Sequence, residues 1–423
     1  MASSNWVCCK FTFLKCTRCF GIQKVLKVLG IFFSIHLITF HLILPYALRD
    51  HPYSSYFSPT WNVYQRALGL NEDRIKMAEG YLDTVNAARS REMYSNTNRA
   101  KFVIGIVTVA RVSYEKSVPQ PRYLTQVVAK VHKLLAESPS KLDYQLFICN
   151  VDDQGSSHSE AIYLSNFTRM VTKNENGNSN FHSRQNRWER EKLDYNYCLE
   201  QAWLYDSKYA ILIQDDAVPH SNFVEVLEYL VSNHLEYRIQ GGRLSQNLEK
   251  WAWIKLNFPE NLAGFLRNWR FVLEWISISA MLASIFTLFV SCFYRYKSPV
   301  CFLYIMFLLS LYFNLSLTLA IGRPFFINIG NQYKYSYTIK PATSCCLPAV
   351  LYPSKNIPGI LKYLEKTKCN TNLPLDFALP NYAEQSGMKE YLASPNLFTH
   401  VGMYSALNHR INSRTAWAYL KEV

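Results

Sequence analysis

The sequence predicts an α/β domain: a mostly parallel sheet with helices on both faces, held by an N-terminal membrane anchor and interrupted by a helical membrane hairpin. Two kinds of segment carry this reading. Short runs rich in β-branched and apolar residues, KFVIGIVTVAR (101–111), YQLFICNVDD (144–153) and YAILIQDD (209–216), alternate with segments of helical period. Three longer apolar stretches, at 25–48, 271–294 and 299–321, are of the length needed to cross a bilayer.

The first of these, VLKVLGIFFSIHLITFHLILPYAL, carries no acidic or strongly basic residue after Lys27. Its apolar length exceeds that of a cleaved signal peptide, so an uncleaved anchor is expected. The second and third are separated only by residues 295–298, which makes them antiparallel neighbours in a hairpin. Lys10, Lys15, Arg18, Lys24 and Lys27 precede the first span, and Arg295 and Lys297 lie in the hairpin loop. Positive charge marks the cytosolic side, so both clusters predict one topology, with the N-terminus cytosolic and the polar regions lumenal. The expected organisation is a cytosolic tail (1–24), a first span (25–48), a lumenal stem (49–100), a first part of the catalytic domain (101–268), the hairpin segment (269–323) and a second catalytic part (324–423).

The net charge of +14 over 423 residues is partly the cytosolic clusters and otherwise scattered, with no basic stripe, so nucleic-acid binding is not expected. Cys8, Cys9, Cys16 and Cys19 fall on the reducing side. Cys149, Cys198, Cys345, Cys346 and Cys369 fall on the lumenal side, where disulfides persist. That odd number leaves at least one thiol free or bonded to another chain. Either one of the adjacent Cys345 and Cys346 pairs with Cys369, or the two bond to each other. Asn166-Phe167-Thr168 is an N-glycosylation sequon on the same side.

Within the lumenal chain, 102–109 has the near-continuous apolar character of a strand buried on both faces. RYLTQVVAKVHKLLAE (122–137) has helical period, as does RWEREKLDYNYCLEQAWLY (187–205), and 172–186 is a polar loop. After the hairpin come SCCLPAVLYP (344–353), a helical segment near 357–366, LPLDFAL (373–379) and SPNLFTHVGMYSAL (394–407). In open α/β sheets, ligands bind beyond the carboxyl ends of the strands. The polar tips 108–111, 150–153 and 214–216 therefore mark the expected site.

The tip at 214–216 raises an electrostatic question. Asp215 and Asp216 are adjacent carboxylates at the end of a buried run, which is unfavourable without a positive partner. Gly-rich phosphate loops and G-x-S-x-G are absent, which disfavours P-loop kinases, simple dinucleotide oxidoreductases and that class of hydrolase. Hard oxygen donors suit Mg²⁺ or Mn²⁺ completed by substrate phosphates, and thus a diphosphate-activated sugar donor. A strand-end turn or a helix N-cap is the competing assignment.

These residues resemble those of the GT-A glycosyltransferases, whose D-x-D-type motif ends a strand and binds Mn²⁺ with a UDP-sugar. The chain is similar in particular to the Golgi post-GPI-attachment transferases, which add N-acetylgalactosamine to the first mannose of glycosylphosphatidylinositol (GPI) anchors. The likeness covers nearly the whole chain: TVAR at 108–111, CNV at 149–151, EKLDYNYCLE at 191–200, QDDAVP at 214–219, CCLPAVLYP at 345–353 and PNLFTHVGMYSAL at 395–407. It implies a GT-A fold, a UDP-N-acetylgalactosamine donor, a GPI-anchored acceptor and a Golgi membrane location. The family's Glu-Asp-Asp begins here with Gln214, and Ala110 stands where relatives are expected to carry Asp.

The resemblance also implies roles. Thr108, Val109, Arg111, Gln214 and Asp215 would contact the nucleotide or its ion, with Asp215, Asp216 and His400 as metal ligands and Asp216 the principal one. Lys192 would reach the diphosphate or else lie on a solvated helix face. His400 would be a ligand, a diphosphate contact or a packed histidine. Asp376 would be the general base of an inverting displacement or a helix cap. Transfer of N-acetylglucosamine to another glycan, and a non-catalytic scaffold, are the competing functions.

Overall fold

The computed structural model describes residues 22–51, 53–57, 61–95, 100–111, 120–140, 143–152, 158–173, 186–236, 250–293, 300–342, 345–405 and 410–411. The tail to residue 21, the hairpin loop 295–298, the polar segment 174–185 and Asp153 lie outside them. The chain forms two compact units, Met1–Ser58 with Glu260–Phe326, and Pro59–Pro259 with Ile327–Val423.

The second unit is built on an eight-stranded sheet of order β3-β2-β1-β4-β8-β6-β9-β7. Its strands are β1 (Phe102–Thr108), β2 (Tyr144–Asn150), β3 (Arg169–Thr172), β4 (Tyr209–Gln214), β6 (Trp251–Lys255), β7 (Thr338–Pro341), β8 (Ala349–Pro353) and β9 (Lys389–Ser394). Pairings β3·β2, β2·β1, β1·β4 and β6·β9 are parallel, whereas β8 runs against both β4 and β6, and β7 against β9. Two short strands, β5 (Ala217–Pro219) and β10 (Phe398–His400), pair beside the end of β4. The chain leaves β1 for β2 and β3 on one side, then returns to β4 on the other. The topological switch, the place where such sheets bind ligands, therefore falls between β1 and β4.

Alternation along the strands feeds two apolar layers. Phe102, Ile104, Ile106, Ile211 and Ile213 pack with helices α1 (Trp61–Thr84), α3 (Tyr123–Glu137) and α5 (Phe223–Tyr229). Val103, Phe147, Leu212, Val350 and Tyr352 pack with α4 (Arg187–Trp203), α6 (Ile357–Lys366) and α7 (Leu375–Gln385). Sheet residues covered on both faces explain the near-continuous apolar runs. Helix α4 starts where Asn186 accepts the Glu189 N–H at 2.8 Å, an N-cap. The Cys149–Cys198 disulfide ties it to β2.

The region 49–100 is not simply a stem. Ala67, Ala78 and Leu82 of α1 are buried in the sheet's core, and Arg74 donates to Gln126 of α3 at 3.1 Å. Helix α2 (Ala87–Ser95) is fixed by Ser90, whose hydroxyl lies 2.6 Å from His132 Nε2 and donates to the Phe167 carbonyl. Cys345 and Cys346 bond to each other, and Cys369 is a buried free thiol, which resolves the alternatives left open by the sequence.

The first unit holds three helices apolar and long enough to span a membrane, Val25–Ala47, Trp269–Cys292 and Phe302–Ile321. The latter two are joined by polar contacts, with Trp275 Nε1 donating to Thr318 Oγ1 at 2.9 Å and Ser279 lying 3.1 Å from the same hydroxyl. Such bonds substitute for the hydrophobic drive that lipid cannot supply. Asn314 donates within its own helix to the Ser310 carbonyl at 2.8 Å. The side chain folds back onto the carbonyl one turn earlier, leaving Thr318 to make the cross-helix contacts. His36 of the first span stacks on Tyr312 of the third at 5.2 Å. Glu274 pairs with the buried Arg323 at 2.9 Å.

Gly105 lies in register between Phe147 and Leu212, and a Cβ there would meet the Phe147 ring at 2.6 Å. That ring is itself fully buried and stacked on Tyr205 at 5.1 Å. Gly105→Val is expected to destabilise the sheet unit by about 1–3 kcal/mol, the cost of overpacking a close-packed core. A lowered thermal midpoint of the purified protein checks this, and an unchanged midpoint would show that the β1–β2–β4 core is loosely packed.

Candidate active site

The site forms where the switch point places the tips of β1 and β4 together. In the parallel register Val107 faces Gln214, and the Asp215 N–H donates to the Val107 carbonyl at 3.0 Å. The Thr108 hydroxyl donates to Asp215 Oδ2 at 2.9 Å and lies 3.0 Å from His158 Nε2. Arg111, three residues beyond the end of β1, turns back over the strand tips. Its Nη2 donates to Asp215 Oδ1 in a very short contact and to Asp216 Oδ2 at 3.0 Å. The Tyr123 ring backs the guanidinium at 4.9 Å.

The remaining wall comes from the C-terminal segment. His400 ends β10, opposite Ala217 in β5, and its Nε2 lies 3.3 Å from Asp216 Oδ2. The following loop is pinned at both ends: the Val401 N–H donates to the Asp216 carbonyl at 2.7 Å, and the Met403 N–H to the Tyr123 hydroxyl at 3.0 Å. Gly402 lies between them. A Cβ at that position would collide with Asp216 Oδ2 and stand 3.0 Å from His400 Nε2.

The electrostatics follow from these contacts. Burial opposes ionisation of Asp216, but the charges of His400 and Arg111 outweigh it and hold the carboxyl well below the usual carboxylate range. Against its own burial, His400 is raised by Asp216. Burial raises Asp215 against the pull of Arg111. The repulsion posed by the adjacent carboxylates is thus eased by Arg111, with the His400 imidazole beside Asp216. Arg111, expected to contact the nucleotide, is committed to both aspartates.

A divalent ion still fits part of the donor set. Asp215 has one oxygen taken by Arg111 and the other by Thr108, so it is a poor ligand, contrary to the sequence reading. Asp216 Oδ1 is buried with no hydrogen-bond partner and lies in the same side chain that His400 approaches. Among the described residues, no three His, Cys, Asp or Glu side chains are arranged to hold an ion by themselves. One carboxylate and one imidazole are consistent with Mg²⁺ or Mn²⁺, which complete their shells with phosphate and water.

Other expected residues are placed differently. Val109 is half-buried beside β1. Gln214 is held by its backbone, donating to the Pro348 carbonyl at 2.7 Å. Lys192 is 2% exposed and donates to Glu189 at 2.6 Å and to the Thr367 carbonyl at 2.9 Å. It is neither a diphosphate contact nor on a solvated face, since its ammonium closes the junction between α4 and the end of α6. Asp376 lies in the first turn of α7, behind Pro374 as N-cap, and accepts the backbone N–H of Cys346. The Cys345–Pro348 turn abuts β4 through the Gln214 bond, so Asp376 belongs to the same end of the sheet.

His158, Tyr123 and Gly402 escape a sequence reading. Each acts through contacts made only in the folded chain. The one available signal was the VGM that follows His400, where a glycine breaks an apolar segment.

A family model described as GPI-N-acetylgalactosamine transferase PGAP4 matches residues 102–399, from the first residue of β1 into β10. That span takes in every strand of the eight-stranded sheet and the site as far as Thr399, one residue short of His400. The chain belongs to the GPI-N-acetylgalactosamine transferase PGAP4 family.

Proposed function

We propose that this chain transfers N-acetylgalactosamine from UDP-N-acetylgalactosamine to the first mannose of GPI anchors on GPI-anchored proteins, with inversion, from the lumenal side of the Golgi membrane. Membership of the family supports the acceptor and the sugar. The observation that carries the metal-dependent chemistry is the unpartnered Asp216 Oδ1 beside His400, in a space that only a glycine at 402 leaves open. Asp216 and His400 would hold Mn²⁺ or Mg²⁺, which when bound neutralises a diphosphate and stabilises it as a leaving group. Arg111 orients both aspartates and, with His400, favours the ionised form of Asp216. Thr108 fixes the Asp215 carboxylate that holds Arg111, and His158 backs the Thr108 hydroxyl. Asp376 accepts the proton of the attacking mannose hydroxyl.

Asp216→Ala is expected to reduce transfer by ~10²-fold or more, the scale of losing one charge-stabilising group in an active site. Mass spectrometry of GPI glycans from cells that carry only the variant measures it, and full N-acetylgalactosamine addition would sink the assignment of Asp216. Chelation of the purified enzyme is expected to abolish transfer, with recovery on adding Mn²⁺. Undiminished activity in excess chelator would remove the metal from the mechanism. Gly402→Ala is expected to displace the Asp216 carboxylate and weaken Mn²⁺-dependent UDP binding, measured by calorimetry, with little change in thermal midpoint. Wild-type binding would mean that Asp216 and His400 do not form the ion site.

A further inference from the structure

The sequence holds two Asn-x-Ser/Thr sequons, Asn166-Phe167-Thr168 and Asn314-Leu315-Ser316, and the structure treats them differently. Asn314 lies inside the apolar helix Phe302–Ile321, where an enzyme working in water has no access. Its amide is also taken, by the Ser310 carbonyl at 2.8 Å and Ser310 Oγ at 3.1 Å. Asn166 is exposed, in the turn between the short helix Ser159–Leu164 and β3. Its Nδ2 donates to the Tyr163 carbonyl at 3.0 Å. An amide nitrogen joined to a sugar keeps one hydrogen, so this bond and a glycan are compatible.

The surface beside that amide is apolar. Tyr163 is 43% exposed, with Phe167 meeting its ring edge-on at 5.6 Å, and the adjacent Ile162 is 42% exposed. A sugar attached to Nδ2 starts beside the Tyr163 main chain. The C–H face of a sugar ring is weakly positive and is attracted to the negative face of an aromatic ring.

We propose that Asn166 is N-glycosylated and that the innermost sugar is seated on the Tyr163 ring. The inference rests on the lumenal orientation proposed above. The amide nitrogen bonds to the anomeric carbon of an oligosaccharide carried on a lipid diphosphate. The bond from that carbon to the diphosphate oxygen breaks, the lipid diphosphate leaves with the electron pair, and one amide proton passes to a base of the transferring enzyme. The fold also sets when this happens. Thr168, the sequon hydroxyl, is fully buried and donates to the Leu146 carbonyl of β2 at 2.7 Å, and Phe167 is buried beside it. A transferring enzyme needs the whole sequon accessible, so Asn166 is modified before β3 docks on β2.

The test uses the full-length protein from a eukaryotic host, treated with peptide N-glycosidase in heavy-oxygen water. Mass spectrometry is expected to recover residue 166 as heavy-labelled Asp and residue 314 as unmodified Asn. The treatment produces a single step in gel mobility, and untreated Asn166→Gln migrates with the treated wild type. Protease added to sealed microsomes tests the orientation separately. An unlabelled Asn166 in protein whose sheet unit is protected overturns the glycan alone, whereas digestion of that unit without detergent overturns the orientation on which it rests. Thermal midpoints test the seat. Removing the glycan is expected to lower the midpoint of the wild type more than that of Tyr163→Ser, because groups in contact are non-additive. An equal drop in both, or none in either, overturns the contact with Tyr163.

Discussion

The contact of Arg111 with Asp215 and Asp216 is the constraint on which the site depends. Two adjacent carboxylates closing a buried strand cannot stay ionised without a cation within a few ångströms. β1 supplies it because β1 and β4 are parallel neighbours in register, so that a residue just past one tip reaches the residues just past the other. Stripping one partner from a buried pair costs about 3–5 kcal/mol, since the other charge remains behind. Thr108, Tyr123 and His400 are all arranged around that arginine and those two acids. Tyr123 does so twice, supporting the guanidinium with its ring and the loop of Gly402 with its hydroxyl.

The sheet that presents these tips is shared between chain segments on either side of residues 260–326. β8 lies between β4 and β6, and β9 beside β6, so strands from before and after the insertion alternate at the centre. Neither part can complete its hydrogen bonds alone. His400 reaches Asp216 only because β10 pairs with β5, again one strand from each side. Assembly of the site and assembly of the sheet are therefore the same event.

The fold was legible because its signals are local and repetitive. Buried parallel strands read as apolar runs, their polar tips mark the binding edge, and the membrane spans are set by length. Among the residues that come together at the candidate site, Asp215, Asp216, Arg111 and Thr108 were legible as strand tips, and His400 through the family resemblance. What each tip does was not. A side chain at the end of a strand can face substrate or its neighbour, and only the register and the turn after β1 show that Arg111 faces the acids. Lys192 failed for the related reason that a helical lysine is ordinarily solvated, and nothing local announces that the Thr367 carbonyl and Glu189 enclose it. The helical packing of 61–84 was masked by its polar majority, with Ala67, Ala78 and Leu82 too small or sparse to suggest a core face.

Two buried carboxylates of this unit then show how similar residues acquire opposite properties. Asp216 is buried beside Arg111 and His400, which hold its carboxyl well below the usual carboxylate range. Glu191 is buried near two acids, Asp376 and Asp194, with Arg187 on the same helix, and burial first pushes its carboxyl up to about 7. The layers that contain them are distinct, Tyr123 and Phe398 belonging to one and Tyr195 and Leu375 to the other. The end of β4 stands between. Pairs of acids driven apart in this way mark a division of labour, one holding fixed charge and the other exchanging protons. For a displacement in which a diphosphate leaves as a hydroxyl attacks, the fixed charge belongs with the leaving group and the proton exchange with the attacking oxygen.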